Sequence, residues 1–263
     1  MFAAANFIAS AHTRRIFLPV VNHLSKDRKA CEWYIGMNAY STDWGELYHT
    51  MMLKLNRTFG GDFSKYDKSM SAGVIRKSYE VLIAVMEAGG ATQSQILQAR
   101  TLAEDAIYPL YAVRSDFFVL TGSNPSGHAM TVFINSIANS LLTRSAYYVV
   151  GLCHFNLNVI LATYGDDNLV TSIKGVFTFV MAREGFAILG LVYTPADKSD
   201  TSPLFDKEVV FLKRGFVWDD GHCRAPLFVG SIIKSFCWRD KNSLGGEISF
   251  LASVLKSALL ELA

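Results

Sequence analysis

Two short acidic stretches place carboxylates where they could gather a divalent cation. One is Gly61-Asp62-Phe63-Ser64-Lys65-Tyr66-Asp67; the other is Tyr164-Gly165-Asp166-Asp167. Adjacent acids at a tight turn repel each other and lose hydration at a cost, which a bound cation would offset. Taken alone, Gly-Asp-Asp is equally well an ordinary solvated turn, because these residues favour turns in any case. The spacing of Asp62 and Asp67 is likewise weak by itself. Brought side by side, the two stretches could hold two magnesium ions, one activating an attacking oxygen and one steadying a leaving group. Magnesium suits such a site because it accepts a few carboxylates and completes its shell with phosphate oxygens and water.

A third stretch, Ser126-Gly127-His128-Ala129-Met130-Thr131-Val132-Phe133-Ile134-Asn135, lies between them. Gly127 allows close approach of backbone to a ligand. Thr131 and Asn135 are four apart and share one helical face. A hydroxyl and an amide on that face suit a ribose hydroxyl, or form a buried pair satisfied between helices. His128, beside Met130 and Phe133, reads as a packing residue or a contact to nucleic acid or nucleotide rather than as a base.

These stretches need elements to position them. Thr42-Asp43 cap a helical pattern of Trp44, Leu47, Tyr48, Met51, Met52 and Leu55, broken by Gly60-Gly61. Helices are predicted over 72–86, closed by Gly89-Gly90, and over 93–106, 127–147, 176–184 and 248–262. A hairpin is predicted over 109–120 with Asp116 at its turn. The runs 158–163 and 169–173 form a second hairpin, with the Gly-Asp-Asp at its tip. A strand is predicted over 187–193, and a strand-turn-strand over 209–217 around Arg214-Gly215. Asp62 falls at the end of a strand and Asp67 in the turn before the next helix. The mixture indicates an α+β fold with a largely antiparallel sheet flanked by helices.

The chain of 263 residues has a formal net charge of +2, with 51% hydrophobic and 18% charged residues. That composition is globular. The balanced charge means that any grip on phosphates must come from local clusters. Cys31, Cys153, Cys223 and Cys237 form no C-x-x-C pair and read as reduced thiols rather than zinc ligands. The apolar start, Met1 to Ala11, lacks a positive leading segment and reads as a helix packed on the core. The uncharged span from Ser145 to Gly165 is interrupted by Gly151, Asn156 and Asn158, and reads as two elements joined by a turn rather than a membrane helix.

In this order the three stretches resemble motifs A (D-x4-5-D), B (S-G-x-x-x-T-x-x-x-N) and C (Y-G-D-D) of the RNA-dependent RNA polymerases of picorna-like positive-strand RNA viruses. Tyr193-Thr194-Pro195-Ala196-Asp197-Lys198-Ser199 resembles the end of motif D, and Phe211-Leu212-Lys213-Arg214 resembles motif E. Tyr34-Ile35-Gly36-Met37-Asn38 with Asp43-Trp44 resembles the segment before motif A, and Trp238 the approach to the thumb. The resemblance implies a polymerase palm with part of the fingers. Asp62, Asp166 and Asp167 would ligate two Mg2+ ions, with Mn2+ able to substitute. Asp67 and Asn135 would contact the ribose of the incoming nucleotide, supported by Ser126, Gly127 and Thr131, which is how RNA is told from DNA. Lys198 would protonate the leaving pyrophosphate, its alternative being a solvated turn lysine. Lys213 and Arg214 would hold the primer backbone, or else serve as charges that protect a strand edge.

The implied partners are template and primer RNA, ribonucleoside triphosphates, and the rest of the viral polymerase in the host cytoplasm. The division implied is a fingers and palm entry over 1–57, a palm over 58–240 with a middle-fingers insertion at 68–115, and the start of the thumb over 241–263. The basic fingers motif F has no good match, Arg14-Arg15 included, so the chain reads as a fragment that polymerises poorly alone. A reverse transcriptase and a non-catalytic RNA-binding relic are the rival readings. Gly165 before Asp166 and the Ser126-Thr131-Asn135 pattern favour an RNA product over the former, and the intact acids speak against the latter.

Overall fold

The computed structural model describes residues 7–196, 204–237 and 246–262. Helix α1 (Phe7–Leu24) is followed by a single turn, α2 (Arg28–Cys31), and by α3 (Asp43–Thr50). Strand β1 (Thr58–Phe63) leads through the short α4 (Tyr66–Ser69) into α5 (Ala72–Ala88) and α6 (Gln93–Ile107). The hairpin β2 (Leu110–Val113) and β3 (Asp116–Val119) precedes the long α7 (Thr131–Val149). After α8 (Phe155–Asn158) come the hairpin β4 (Val159–Tyr164) and β5 (Asp167–Ser172), then α9 (Phe179–Ile188) and β6 (Tyr193–Pro195). A small hairpin, β7 (Val217–Asp219) and β8 (His222–Arg224), precedes α10 (Val229–Cys237) and α11 (Gly246–Leu262).

The central sheet runs β4-β5-β1-β6, and every neighbouring pair is antiparallel. Alternation along the strands separates two apolar clusters, one on each face. Phe59, Leu161 and Val170 join the larger cluster, with Ala138, Tyr147, Phe179 and Phe186 of α7 and α9. Ala162 and Leu169 point the other way, to Trp44 and Leu47 of α3, Met51 and Phe211. The outer edge of β4 is covered by the segment before α3. Thr163 donates its amide to the Glu32 carbonyl at 2.7 Å and accepts from the Tyr34 amide at 2.9 Å, so an otherwise open strand edge is paired.

Local signals fix the helix starts. Ser71 accepts from the Val74 amide to cap α5, and Thr92 with Gln95 forms a capping box on α6. Both helices fall where the apolar periodicity puts them.

Several boundaries differ from the sequence expectation. Helix α3 stops at Thr50 because Met52 turns into the left-handed region, and Leu53–Leu55 forms a separate 3-10 turn. Helix α7 begins at Thr131, not Gly127, since the Thr131 hydroxyl is taken up by the Pro125 and His128 carbonyls of the preceding loop. The β2–β3 turn sits at Arg114, with φ of 57°, and Asp116 already belongs to the strand. Helix α9 runs to Ile188, so the strand expected over 187–193 shrinks to Tyr193–Pro195. A short apolar run does not distinguish strand from helix; here Phe186 continues the helix by packing on Phe63 and Tyr193.

Residues 209–217 form no full hairpin. Leu212 and Lys213 both take positive φ, which allows only an isolated Phe211–Arg214 pairing, and the hairpin comes later, at 217–224. In α1 the buried residues are Thr13, Ile16, Phe17, Val20 and Val21, while Phe7 and Ile8 are exposed; residues 1–6 lie outside the described residues. The span 145–165 is the end of α7, α8 and β4, two packed elements joined by a turn, and no helix among the described residues is long and apolar enough to cross a membrane.

Candidate active site

The two acidic stretches meet on the sheet. In the β1–β5 register Gly61 lies opposite Asn168, so one step further along the antiparallel pair Asp62 comes level with Asp167. On its other side Asp62 pairs with Thr194 of β6, and the Thr194 hydroxyl donates to the Asp62 carbonyl at 3.2 Å. Directly opposed residues on adjacent strands bring their Cβ atoms to about 5 Å. Gly61 must lack a side chain here: an added Cβ would fall on the ring of Tyr193, within 2.5 Å of Cε2. Gly165 takes φ of 63° and turns the chain between β4 and β5, leaving Asp166 at the tip.

The charges interact as this geometry requires. Burial, followed by the carboxylates of Asp166 and Asp62, pushes the Asp167 carboxyl up to about 6, with Lys213 acting in the opposite sense. Asp166 keeps solvent contact, yet loss of hydration and then the Asp62 and Asp67 carboxylates raise it above the ordinary value, opposed by backbone hydrogen bonds. The Tyr66 hydroxyl, buried beneath Asp166 and Asp67, is pushed well up by the same causes and stays a neutral donor to the Asn135 carbonyl at 3.1 Å.

Among the described residues no group of three or more His, Cys, Asp or Glu side chains is already closed around a common point. The donor chemistry nonetheless fits a hard divalent cation. The carboxylates of Asp62, Asp166 and Asp167 are near enough to act on one another's charge, and their mutual repulsion is what a cation would relieve.

Beside the acids lies a polar cluster. The Asn135 amide nitrogen donates to Asp67 Oδ1 at 2.8 Å, and Asn135 Oδ1 accepts from Asn124 Nδ2 at 2.6 Å. The Asn124 side-chain amide also donates to the Thr131 carbonyl at 3.2 Å, and its backbone amide donates to the Asp67 carbonyl at 2.8 Å. Asn135 is thus buried and spent on holding Asp67, while Asp67 keeps partial exposure. Thr131 ties down the loop that carries Ser126, which is exposed, and Gly127. His128 has burial lowering its pKa and accepts the Met130 amide at Nδ1, so it is a neutral packing residue of that loop.

The other expected site residues divide. Lys213 is close enough to Asp167 to act on its charge. The Arg214 guanidinium donates to the Ala225 carbonyl at 2.7 Å and lies over the Tyr40 ring, 5.2 Å from its centre, so it braces the fold locally. Lys198 lies outside the described residues, as does Trp238.

Four residues beneath and beside the site escaped the sequence reading: Asn124, Ser136, Asn139 and Asn168, each buried and each polar. Ser136 Oγ accepts the Gly165 amide at 2.8 Å, and Asn139 Nδ2 lies 3.0 Å from the Asp166 carbonyl. A signal was present for Asn139. It continues the face of Thr131 and Asn135 by one more helical turn.

Comparison with known proteins adds four findings. A family model described as viral RNA-dependent RNA polymerase matches residues 1–262. The chain is 32% identical over 261 residues to the RNA1 polyprotein of Arabis mosaic virus, covering 94% of this chain and 11% of that polyprotein. It is 26% identical over 270 residues to the replicase polyprotein of Drosophila C virus, covering 94% of this chain and 15% of that one. Among solved structures, a Sicinivirus 3Dpol RNA-dependent RNA polymerase superposes with a TM-score of 0.77 at 20% identity, over 92% of this chain and 51% of the other. The chain therefore spans a small share of the polyproteins it matches and about half of that solved chain.

Proposed function

This chain belongs to the viral RNA-dependent RNA polymerase family, and from that premise we propose that it is the catalytic palm, with part of the fingers, of a polymerase that copies RNA from ribonucleoside triphosphates. The observation that carries the proposal is the approach of Asp62 to Asp166 and Asp167 across adjacent strands, felt in the raised carboxyls of Asp166 and Asp167. Two divalent cations, Mg2+ with Mn2+ as a substitute, would supply charge neutralisation at the reacting phosphate and activation of the attacking hydroxyl.

The residues of the chain do the rest. Asp62, Asp166 and Asp167 would hold the cations. Asp67, kept in place by Asn135 and Asn124, presents its remaining oxygen to the ribose, where a 2′-hydroxyl distinguishes RNA from DNA. Ser126, Gly127 and Thr131 shape the loop beside it. The primer 3′-hydroxyl would give up its proton to solvent and bond to the α-phosphorus while the bond to the bridging oxygen breaks and pyrophosphate leaves. Lys198, assigned on its motif alone, would give that leaving group a proton. Lys213, which acts on the charge of Asp167, would meet primer phosphate there, with Arg214 bracing the turn behind it. Positioning and electrostatics account for most of the rate in such a reaction.

The proposed division is 1–57 as entry segment, 58–240 as palm with a fingers insertion at 68–115, and 241–263 as the beginning of the thumb. The proposed partners are template and primer RNA and the remaining fingers and thumb of the polymerase, acting in the host cytoplasm.

Asp166→Ala in the complete polymerase is expected to abolish primer extension while circular dichroism and thermal unfolding stay as in the parent. Retained extension would place the metal site elsewhere. The isolated chain is expected to bind divalent metal and to extend a primer poorly, because the triphosphate charge must also be neutralised; robust extension by the chain alone would contradict this.

A further inference from the structure

Beneath the acidic turn a single side chain faces three backbone carbonyls. Asn139 is fully buried in α7, and its Nδ2 lies 3.2, 3.0 and 3.4 Å from the carbonyl oxygens of Gly165, Asp166 and Asp167. Carbonyls only accept, so the atom facing them must be the amide nitrogen. Asn139 Oδ1 then faces Asn168 Nδ2 at 2.9 Å and the Thr143 hydroxyl at 3.3 Å. Asn168 Oδ1 in turn faces the Tyr193 hydroxyl at 2.6 Å, which must donate. Each member has one permitted orientation once the carbonyls are given, and the chain of donors runs one way, from β6 through β5 to α7 and the turn.

The turn needs such an anchor. Asp166 and Asp167 repel each other and Asp62, so nothing in the carboxylates themselves keeps them turned inward. An amide that binds the carbonyls of both aspartates from below fixes the two peptide planes and hence the direction in which each side chain leaves. Ser136 adds the amide of Gly165 from the same helix. Tyr193 is held protonated by burial and nearby acids, so it serves only as donor.

We propose that Asn139 is the positioning residue of the acidic turn: its amide, locked in one orientation by the Tyr193–Asn168 relay, sets the peptide planes of residues 165–167 so that Asp166 and Asp167 face Asp62. The consequence for metal affinity rests on the polymerase reading; the consequence for the turn does not.

The test uses the full chain and three variants, Asn139→Ala, Tyr193→Phe and Thr143→Val. Amide hydrogen exchange of the peptide covering 164–168 reports the turn, and Mn2+ binding, read by water proton relaxation, reports the site. Asn139→Ala is expected to speed exchange at the turn about tenfold and to weaken Mn2+ binding about tenfold, the scale on which partners behind metal ligands act. Tyr193→Phe, which removes only the far donor, is expected to move both in the same direction by less. Thr143→Val removes a buried hydrogen bond to the same Asn139 oxygen but leaves the relay whole. It is expected to lower thermal stability with no change at the turn.

Equal effects of Asn139→Ala and Thr143→Val on turn exchange would reduce Asn139 to a structural residue and overturn the proposal. Should Asn139→Ala not fold, a Tyr193→Phe turn indistinguishable from the parent overturns it instead. Absence of Mn2+ binding in the parent chain would refute the metal reading alone, and the exchange comparison would still decide the role of Asn139.

Discussion

The acidic turn at 164–167 leads into β5, and the segment 209–224 shares a cluster with Leu169 of β5 through Phe211, but they are held by different forces. The turn is pinned from below by neutral dipoles, the hydroxyl of Ser136 and the amide of Asn139, and carries charges that repel. The segment 209–224 is pinned by aromatic packing: Trp44 stacks on Phe216 at 4.8 Å, donates to the Gly215 carbonyl at 2.9 Å and packs with Phe211. The turn is expected to cost the metal-free fold stability in order to gather charge, whereas the packed segment contributes stability and only approaches the site through Lys213. Changes in the first region should act on metal and substrate, and changes in the second on the fold.

The largest expected effect breaks the packed side. Trp44→Ala removes a fully buried ring and its hydrogen bond. It should destabilise the chain by about 3–5 kcal/mol, measured by urea denaturation, while any folded fraction binds Mn2+ like the parent. Lost metal affinity in folded protein would show that the two regions are not separable.

Next comes a substitution on the charged side with the opposite sign. The Asp167 carboxyl stands at about 6 when folded, against an ordinary 3.8. Between these values the folded chain binds more protons than the unfolded one, so the contribution of Asp167 to stability falls as pH rises from about 4 to about 6 and stays low above that. Asp167→Asn should therefore stabilise the metal-free chain at pH 7, by on the order of 1–2 kcal/mol, and flatten this part of the pH profile of thermal unfolding. A destabilised Asn variant at pH 7 would mean that the carboxylates are not in conflict.

The smallest effect sharpens the contrast within the site. Asn135→Ala frees Asp67 from its 2.8 Å anchor without touching the metal ligands. In the complete polymerase the preference for ribonucleotides over deoxyribonucleotides should drop about tenfold, the scale of one mispaired buried hydrogen bond, as read from competing incorporation rates. An unchanged preference would remove the ribose role.

The same contrast explains what was legible in the sequence. The acids, the Thr131–Asn135 face and the hairpin around Gly165 were readable because each follows from a short spacing: a turn residue, an i to i+4 pair, an alternating strand. The helices α5 and α6 were readable from periodicity and caps. Asn124 and Asn168 were not, because their partners are distant in sequence and an isolated asparagine carries no pattern. The strand-turn-strand expected over 209–217 failed for a related reason. Whether Leu212 and Lys213 take positive φ depends on Phe211 being drawn into the cluster under Trp44, which local sequence does not specify.

Asp62 and the Asp166–Asp167 turn are expected to share cations. Crystals of the chain soaked in Mn2+ would show this directly by anomalous scattering. Two peaks are expected between Asp62 and Asp166, both within ligand distance of carboxylate oxygens from the two strands. Manganese bound only elsewhere, with the Asp62 and Asp166 side chains directed apart, would contradict it.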